Sequence, residues 1–182
     1  MKGMTLAEAA AILNSSSTFS HATIQSYCTD SRLLKPGDLF FALPGERVDG
    51  HAYLAEASRK GALAAVVSKQ FRGESGSLPL IAVDDPLRAL QDLAHAVLVR
   101  SGARVVAITG SIGKTTTKEF TKTLLAGKYR VTSSPGNSNS QVGMPLTILN
   151  HTTGDEEILV LEMGMTVPGN LARLVQIAPP EV

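Results

Sequence analysis

The chain has 182 residues, and its 43% apolar content is enough for one packed domain or two small ones. A net charge of +1, with no long basic run and only 4% aromatic residues, argues against a nucleic-acid groove. No apolar stretch reaches the ~18–20 residues of a membrane helix, and the single cysteine, Cys28, excludes an intrachain disulfide or a cysteine zinc cluster.

Taken in chain order, MKGMTLAEAAAIL lacks the layout of a signal peptide, because Glu8 interrupts its apolar region. A cytoplasmic protein is the simplest expectation. Residues 5–13 read as an amphipathic helix that Thr5 can cap. Residues 14–20 are polar and turn-like, and 23–29 alternate as a weak strand. A Pro-Gly turn precedes an apolar strand at 38–43, and "PGERVDGH" is a loop. A helix is expected at 51–60, ended by Gly61, then a strand at 64–67. A Gly/Ser-rich loop at 71–78 leads to a strand at 80–83. Asp84 or Asp85 can cap the next helix, where Leu87, Leu90, Ala94, Val97 and Leu98 share one face. Residues 101–104, "SGAR", are the expected hinge, giving units 1–102 and 103–182.

The second unit opens with a strand at 105–109 and a helix at 115–125. A strand near 129–132, a polar loop "SSPGNSNSQVG" and an apolar strand at 158–162 follow. "VPGNLARLVQIA" predicts a helix with Pro168 in its first turn. Strands alternating with helices imply an α/β fold with mostly parallel sheets.

"AITGSIGKTTTKEF", residues 107–120, sets a glycine loop between the strand and the helix. Backbone N–H groups of such a loop point at phosphate oxygens, and the helix N-terminus adds its positive end. Gly110, Ser111, Gly113, Lys114, Thr115 and Thr116 are the candidate nucleotide contacts. Lys114 reaches terminal phosphates, and the Thr115 hydroxyl suits magnesium. Ile108 stands where the standard pattern has its first glycine. Glu162 ends its strand at the carboxyl edge, where ligands bind in such sheets, and can share the magnesium. A helix-capping or ion-paired acid is the alternative for Glu162, and a turn with a surface ion pair the alternative for Asp30-Ser31-Arg32. His21, His95 and His151 show no metal-ligand spacing, and Cys28 reads as a small buried residue.

These motifs, with "TDSRLLKPGDLFFALPGERVDGHAYLAEASRKGALAAVV" upstream, resemble the Mur ligases, the ATP-dependent amide-forming enzymes of peptidoglycan synthesis. "GKTTTKE", "GNSNSQVGMPLTIL" and "LEMGM…PGNLARLVQIAPPEV" are most similar to the branch that joins D-alanyl-D-alanine to UDP-N-acetylmuramoyl-tripeptide. The resemblance implies a small N-terminal UDP-binding α/β domain followed by the start of a P-loop ATPase domain. It implies ATP and Mg2+ as cofactors, those two small molecules as substrates, and a monomeric parent. It also implies an acyl phosphate, formed at a carboxylate with Lys114 and Glu162 as catalytic residues and Thr115 and Glu162 on the metal. Ser31 and Arg32 match the UDP-contacting segment, and Arg47, Asp49 and His51 a motif near the nucleotide-sugar. Asn137 and Asn139 match a loop facing the muramoyl-peptide. The chain reads Asn-Ser-Asn-Ser where the family more often has adjacent asparagines, and Asn170 where it usually has an acid. Mur ligases have three domains, so this chain is expected to be an inactive piece of a longer one. The alternatives are another Mur ligase step, such as tripeptide synthesis, and a non-catalytic UDP-sugar-binding module. A P-loop kinase or GTPase is disfavoured by the short loop and the lack of a guanine-reading N-K-x-D.

Overall fold

A computed structural model describes residues 3–15, 17–45 and 48–182. The chain divides into two compact units, Gly3–Leu93 and Ala94–Val182.

The first unit opens with helix α1 (Leu6–Ile12), capped as expected. Thr5 Oγ1 accepts the Glu8 N–H at 3.2 Å, and Glu8 Oε2 accepts the Thr5 N–H at 2.8 Å, a reciprocal capping box. Strands β1 (Tyr27–Cys28), β2 (Leu39–Phe41), β3 (Ala64–Ser68) and β4 (Leu80–Val83) form one sheet in that order, every pair parallel. Between β2 and β3 a 3-10 turn (Gly50–Tyr53) leads into helix α2 (Leu54–Arg59). All of β2 and most of β3 are buried, which is why they read as unbroken apolar runs. Phe40, Ala42, Leu54, Ala57, Ala65 and Val67 form the heart of one core cluster. The structure chooses Asp85 as the cap of helix α3 (Pro86–Ser101), accepting from the Leu87 and Arg88 N–H groups. Asp84 pairs with Lys69 instead. The division between the units falls within α3.

In the second unit, strands β5 (Arg104–Ile108), β6 (Val131–Ser133) and β7 (Ile158–Glu162) form a parallel sheet in the order β5-β7-β6. Helix α4 (Lys114–Ala126) follows β5 and packs on the sheet. Helix α5 (Gly143–His151) links β6 to β7; its apolar residues are mostly buried, and the sequence pattern predicts no element there. Helix α6 (Asn170–Ile177) is capped by Gly169, so Pro168 stands before the cap rather than in the first turn. The left-handed φ of 91° at Gly169 sets the helix start beyond the proline. The other edge of β5 is also paired: Glu181 N donates to Val105 O, and Ala107 N to Val182 O, each at 2.9 Å.

Leu54 is fully buried among Phe40, Ala65 and Val67. Leu54→Ala is expected to cost the first unit ~2–5 kcal/mol. Urea denaturation measures this; an unchanged midpoint would mean that Leu54 does not pack in that core.

Candidate functional site

The loop between β5 and α4 is built on backbone angles that side chains resist. Gly110 has φ 149° and Gly113 φ 80°, so a larger residue at either place would be strained. Gly113 also serves as the N-cap of α4 with no side chain over the helix end. The first N–H groups of α4 therefore stay open to an anion, with the helix dipole behind them. Lys114 bends back across the loop, and its Nζ donates to Gly110 O at 2.7 Å. A cavity of about 510 Å³ opens beside it, lined among others by Gly110, Ser111, Lys114, Asn139, Gly164 and Asn170. Thr116 lies on the exposed first turn of α4, outside that lining.

Glu162 sits directly across from Ile108 in the β5–β7 register, so its carboxylate meets the base of the loop. It is 1% exposed, and both oxygens are held. Thr115 Oγ1 donates to Oε2 at 2.8 Å, and Asn139 Nδ2 to Oε1 at 2.8 Å. The hydroxyl thus turns its proton to the acid and keeps its lone pairs for a cation. A hydroxyl oxygen beside a carboxylate is the hard donor set that magnesium takes, the rest of its shell coming from water and phosphate. The residues therefore fit a nucleotide-borne Mg2+. Asn137 is exposed on the neighbouring turn and does not line the cavity; Asn139 does.

Lys118 is a residue that sequence reasoning missed. It is fully buried, and Nζ donates to Ser134 O at 2.7 Å and Gly136 O at 2.6 Å. The available signal was its spacing: four residues after Lys114, it shares that helix face.

In the first unit a cavity of about 420 Å³ is lined among others by Thr29, Asp30, Ser31, Arg32, Phe40 and Tyr53. Ser31 is 6% exposed, and its Oγ donates to Glu56 Oε2 at 3.3 Å. Lys60 Nζ donates to Ser31 O at 2.6 Å and pairs with Glu56 at 2.9 Å. Glu56 and Lys60, both on or next to α2, thus hold the segment that carries Ser31 and Arg32; neither stands out in the sequence. The Arg32 guanidinium is exposed and folds onto Asp30 at 2.6 Å.

Asp49 and His51 line a different cavity, of about 520 Å³, with Ser68, Gln70, Phe71 and Asp84. His51 Nε2 accepts the Ser68 N–H at 3.0 Å, so the ring hydrogen sits on Nδ1, which faces Asp49 Oδ1 at 2.6 Å. The ring stacks on Phe71 with centroids 5.2 Å apart. His51 therefore ties the 3-10 turn to the end of β3. The His51 backbone N–H, followed by its ring, lowers the Asp49 carboxyl below its ordinary value. Arg47 lies outside the described residues. His95 Nδ1 lies 2.9 Å from Ile177 O, inside the second unit. Cys28 is buried, its thiol donating to Asp30 O at 3.1 Å, and burial pushes that thiol up.

Asp30 gives a direct solution check of the first cavity. The Arg32 side chain first, then the Arg32 backbone N–H, lowers its carboxyl to about 2 from 3.8. Because the folded value is depressed, the interaction is fully present above pH 3.8 and fades as pH falls toward 2. A carboxyl-carbon NMR titration is expected to show that low midpoint. Arg32→Ala should return it only part of the way, since the backbone donor remains. A midpoint near 3.8 in the unaltered chain would show that the pair does not form in solution.

Comparison with known proteins finds matches along both units. The family model described as "Mur ligase family, catalytic domain" matches residues 23–98, and "Mur ligase middle domain" matches residues 108–182. The UDP-N-acetylmuramoyl-tripeptide–D-alanyl-D-alanine ligase of Bacillus subtilis is 40% identical over 90% of this chain and 35% of its own length. The crystal structure of the MurF ligase from Thermotoga maritima, in complex with ADP, is 41% identical. It superposes with a TM-score of 0.77 over 86% of this chain and 36% of that one. The UDP-N-acetylmuramoylalanyl-D-glutamyl-2,6-diaminopimelate–D-alanyl-D-alanyl ligase of Acinetobacter baumannii, 28% identical, superposes with a TM-score of 0.89 over 99% of this chain and 40% of that one. The chain thus spans between a third and two-fifths of the length of these relatives. With a Mur ligase model matched by each unit and a buried acid under the glycine loop, the chain belongs to the Mur ligase family.

Proposed function

We propose that the chain supplies the UDP-substrate unit and the nucleotide loop of an ATP-dependent ligase that adds D-alanyl-D-alanine to UDP-N-acetylmuramoyl-tripeptide. The observation that carries this reading is Glu162, buried beneath the loop and bonded to Thr115. Relatives named for that activity match along both units, and one of their structures holds ADP. Residues 1–102 are read as the UDP-substrate domain and 103–182 as the opening of the ATP-binding domain.

The chemistry asks for little covalent work from the protein. A carboxylate is a poor electrophile until one oxygen becomes a leaving group. An oxygen of the tripeptide carboxylate attacks the γ-phosphorus, and ADP leaves. The amine of D-alanyl-D-alanine then attacks the acyl carbon, loses a proton, and phosphate departs with the carboxyl oxygen. The open N–H groups of α4 and the loop bind the phosphates, and Lys114 leaves Gly110 O to meet the transferring group. This is preorganised electrostatic stabilisation of a phosphoryl transfer. Thr115 and Glu162 would hold Mg2+, which supplies charge neutralisation on the phosphate oxygens when bound. Asn139, on the cavity wall, faces the muramoyl-peptide.

At the first cavity, Ser31 and Arg32 contact uracil and diphosphate oxygens. The arginine leaves Asp30 to make charge-assisted bonds. Asp49 and His51 keep the adjoining turn in place for the nucleotide-sugar. The reaction belongs in the cytoplasm, with its ATP supply, and the enzyme acts as a monomer. Among the described residues, no helix is long and apolar enough to cross a membrane.

The test uses the full coding region carried to the length of the relatives. Phosphate release is expected to require both UDP-N-acetylmuramoyl-tripeptide and D-alanyl-D-alanine. Lys114→Ala should slow it ~10²–10³-fold while leaving binding of the UDP substrate unchanged. Turnover with a dipeptide substrate and a diamino acid would assign the chain to tripeptide synthesis. UDP-substrate binding without any phosphate release would leave a non-catalytic module.

A further inference from the structure

Lys118 is the one fully buried charged side chain near the nucleotide loop, among the described residues, that the proposed chemistry does not use. Burying an amine is costly unless its donors are satisfied. Here they are: Nζ reaches Ser134 O at 2.7 Å and Gly136 O at 2.6 Å, with Glu119 Oε1 at 3.3 Å. Lys118 therefore clips the chain leaving β6 against α4.

That clipped chain leads to the acid. Ser134 N donates to Val160 O at 3.1 Å, and Ser134 Oγ accepts from Glu162 N at 3.1 Å. Five residues on, Asn139 Nδ2 donates to Glu162 Oε1, while Asn139 O accepts from Gly164 N at 2.9 Å. A Cβ on Gly164 would stand 2.8 Å from Asn139 Cγ, so the asparagine lies against the bare backbone of the residue two beyond Glu162. Lys118 and β7 thus grip one end of residues 134–139, and Glu162 is gripped by the other.

We propose that Lys118 is a positioning residue for the metal-holding acid. It fixes the start of the 134–139 loop, so that Asn139 holds Glu162 Oε1 and leaves Oε2 to Thr115. This rests on the reading of Glu162 as a magnesium holder. Lys118 acts through Asn139 and touches neither nucleotide nor metal. Outer partners of a metal-holding group are typically worth ~10–100-fold in metal affinity. Lys118, one step further out, should fall at the lower end.

The experiment has two arms on the 182-residue chain. In the first, without nucleotide, the side-chain amide signals of Asn139 are followed by NMR. Lys118→Met should shift them and speed their exchange with solvent while the rest of the spectrum keeps its dispersion. Lys118→Arg, which keeps donors, should restore them in part. In the second, ADP affinity is titrated with and without Mg2+. Lys118→Met and Asn139→Ala should each reduce the Mg2+-dependent gain ~10-fold and combine to no more than either alone, and Lys118→Met should leave Mg2+-free ADP binding unchanged. Non-additivity of that kind is the mark of two residues acting as one unit. Unmoved Asn139 signals, or losses that simply multiply, would overturn the proposal. Should Lys118→Met not fold, Lys118→Gln, which keeps an amide donor but loses the charge, runs the same cycle, and the same results support or overturn it. Glu162→Gln separates the failures. If it leaves the Mg2+-dependent gain intact, or if the unaltered chain shows none, the metal reading falls and the proposal with it. If it abolishes the gain while Lys118→Met does not, the proposal alone falls.

Discussion

The hydrogen-bonded register between β5 and β7 is the constraint on which the nucleotide end depends. Ile108 stands opposite Glu162, and Met163 N donates to Ile108 O at 2.9 Å. Parallel neighbours run the same way, so the glycine loop and the chain after Glu162 leave the sheet at one edge. A slip of a single residue would send the Glu162 side chain to the opposite face. All five residues of β7 are buried, so the slipped carboxylate would lose its donors in an apolar layer. The penalty for that error is what makes the register firm. The acid tolerates 1% exposure only because Thr115, from the first turn of α4, and Asn139, from the loop after β6, both meet it.

The first unit uses the same edge of its own sheet with different chemistry. Thr29 follows β1 directly, and Leu43 lies just beyond β2; both line the 420 Å³ cavity. The cavity mixes apolar walls, Phe40 and Leu43, with a polar rim of Asp30, Ser31 and Arg32. Its floor is fixed by burial of β2, and its rim by the Glu56–Lys60 pair. The apolar wall suits a planar ring, while the guanidinium suits phosphate oxygens.

Much of this is legible in the sequence, and the misses have physical causes. The loop can be read because Gly110 and Gly113 sit where no helix or strand wants them, between an apolar run and a lysine. Glu162 can be read because an acid closing an apolar strand needs a reason. Helix α5 escapes because "GMPLTILNH" is apolar nearly all round and contains a proline. Buried on most sides, it shows no amphipathic stripe for periodicity to catch. Pro168 falls outside the first turn of α6 because the left-handed cap at Gly169 takes the helix start past it. Lys118 is invisible for a different reason. A lysine in a polar helix segment reads as solvated, and only the fold brings two carbonyls to it. His51 looks like a ligand group in "DGH", yet both ring nitrogens are engaged within the protein.

Lys114, Lys60 and Lys118 all hold main-chain carbonyls, and their settings differ in a way that bears on function. Lys114 holds Gly110 O, Lys60 holds Ser31 O, and Lys118 holds Ser134 O and Gly136 O. Gly- and Ser-rich loops bury few apolar atoms, so such polar clips are their main source of order. The clip at Lys114 is exposed and makes one bond, so it can be exchanged for a phosphate at little cost. The clip at Lys60 has a side chain about a third exposed, so water competes with it while Glu56 steadies it. The clip at Lys118 is dry, and breaking it would strand a buried donor with two carbonyls. Firmness therefore falls from the loop that orients Glu162, through the segment bearing Ser31 and Arg32, to the lysine that must move. An acid that fixes a cation gains from a rigid mount, whereas a group that follows a transferring phosphate must be free to leave its resting place.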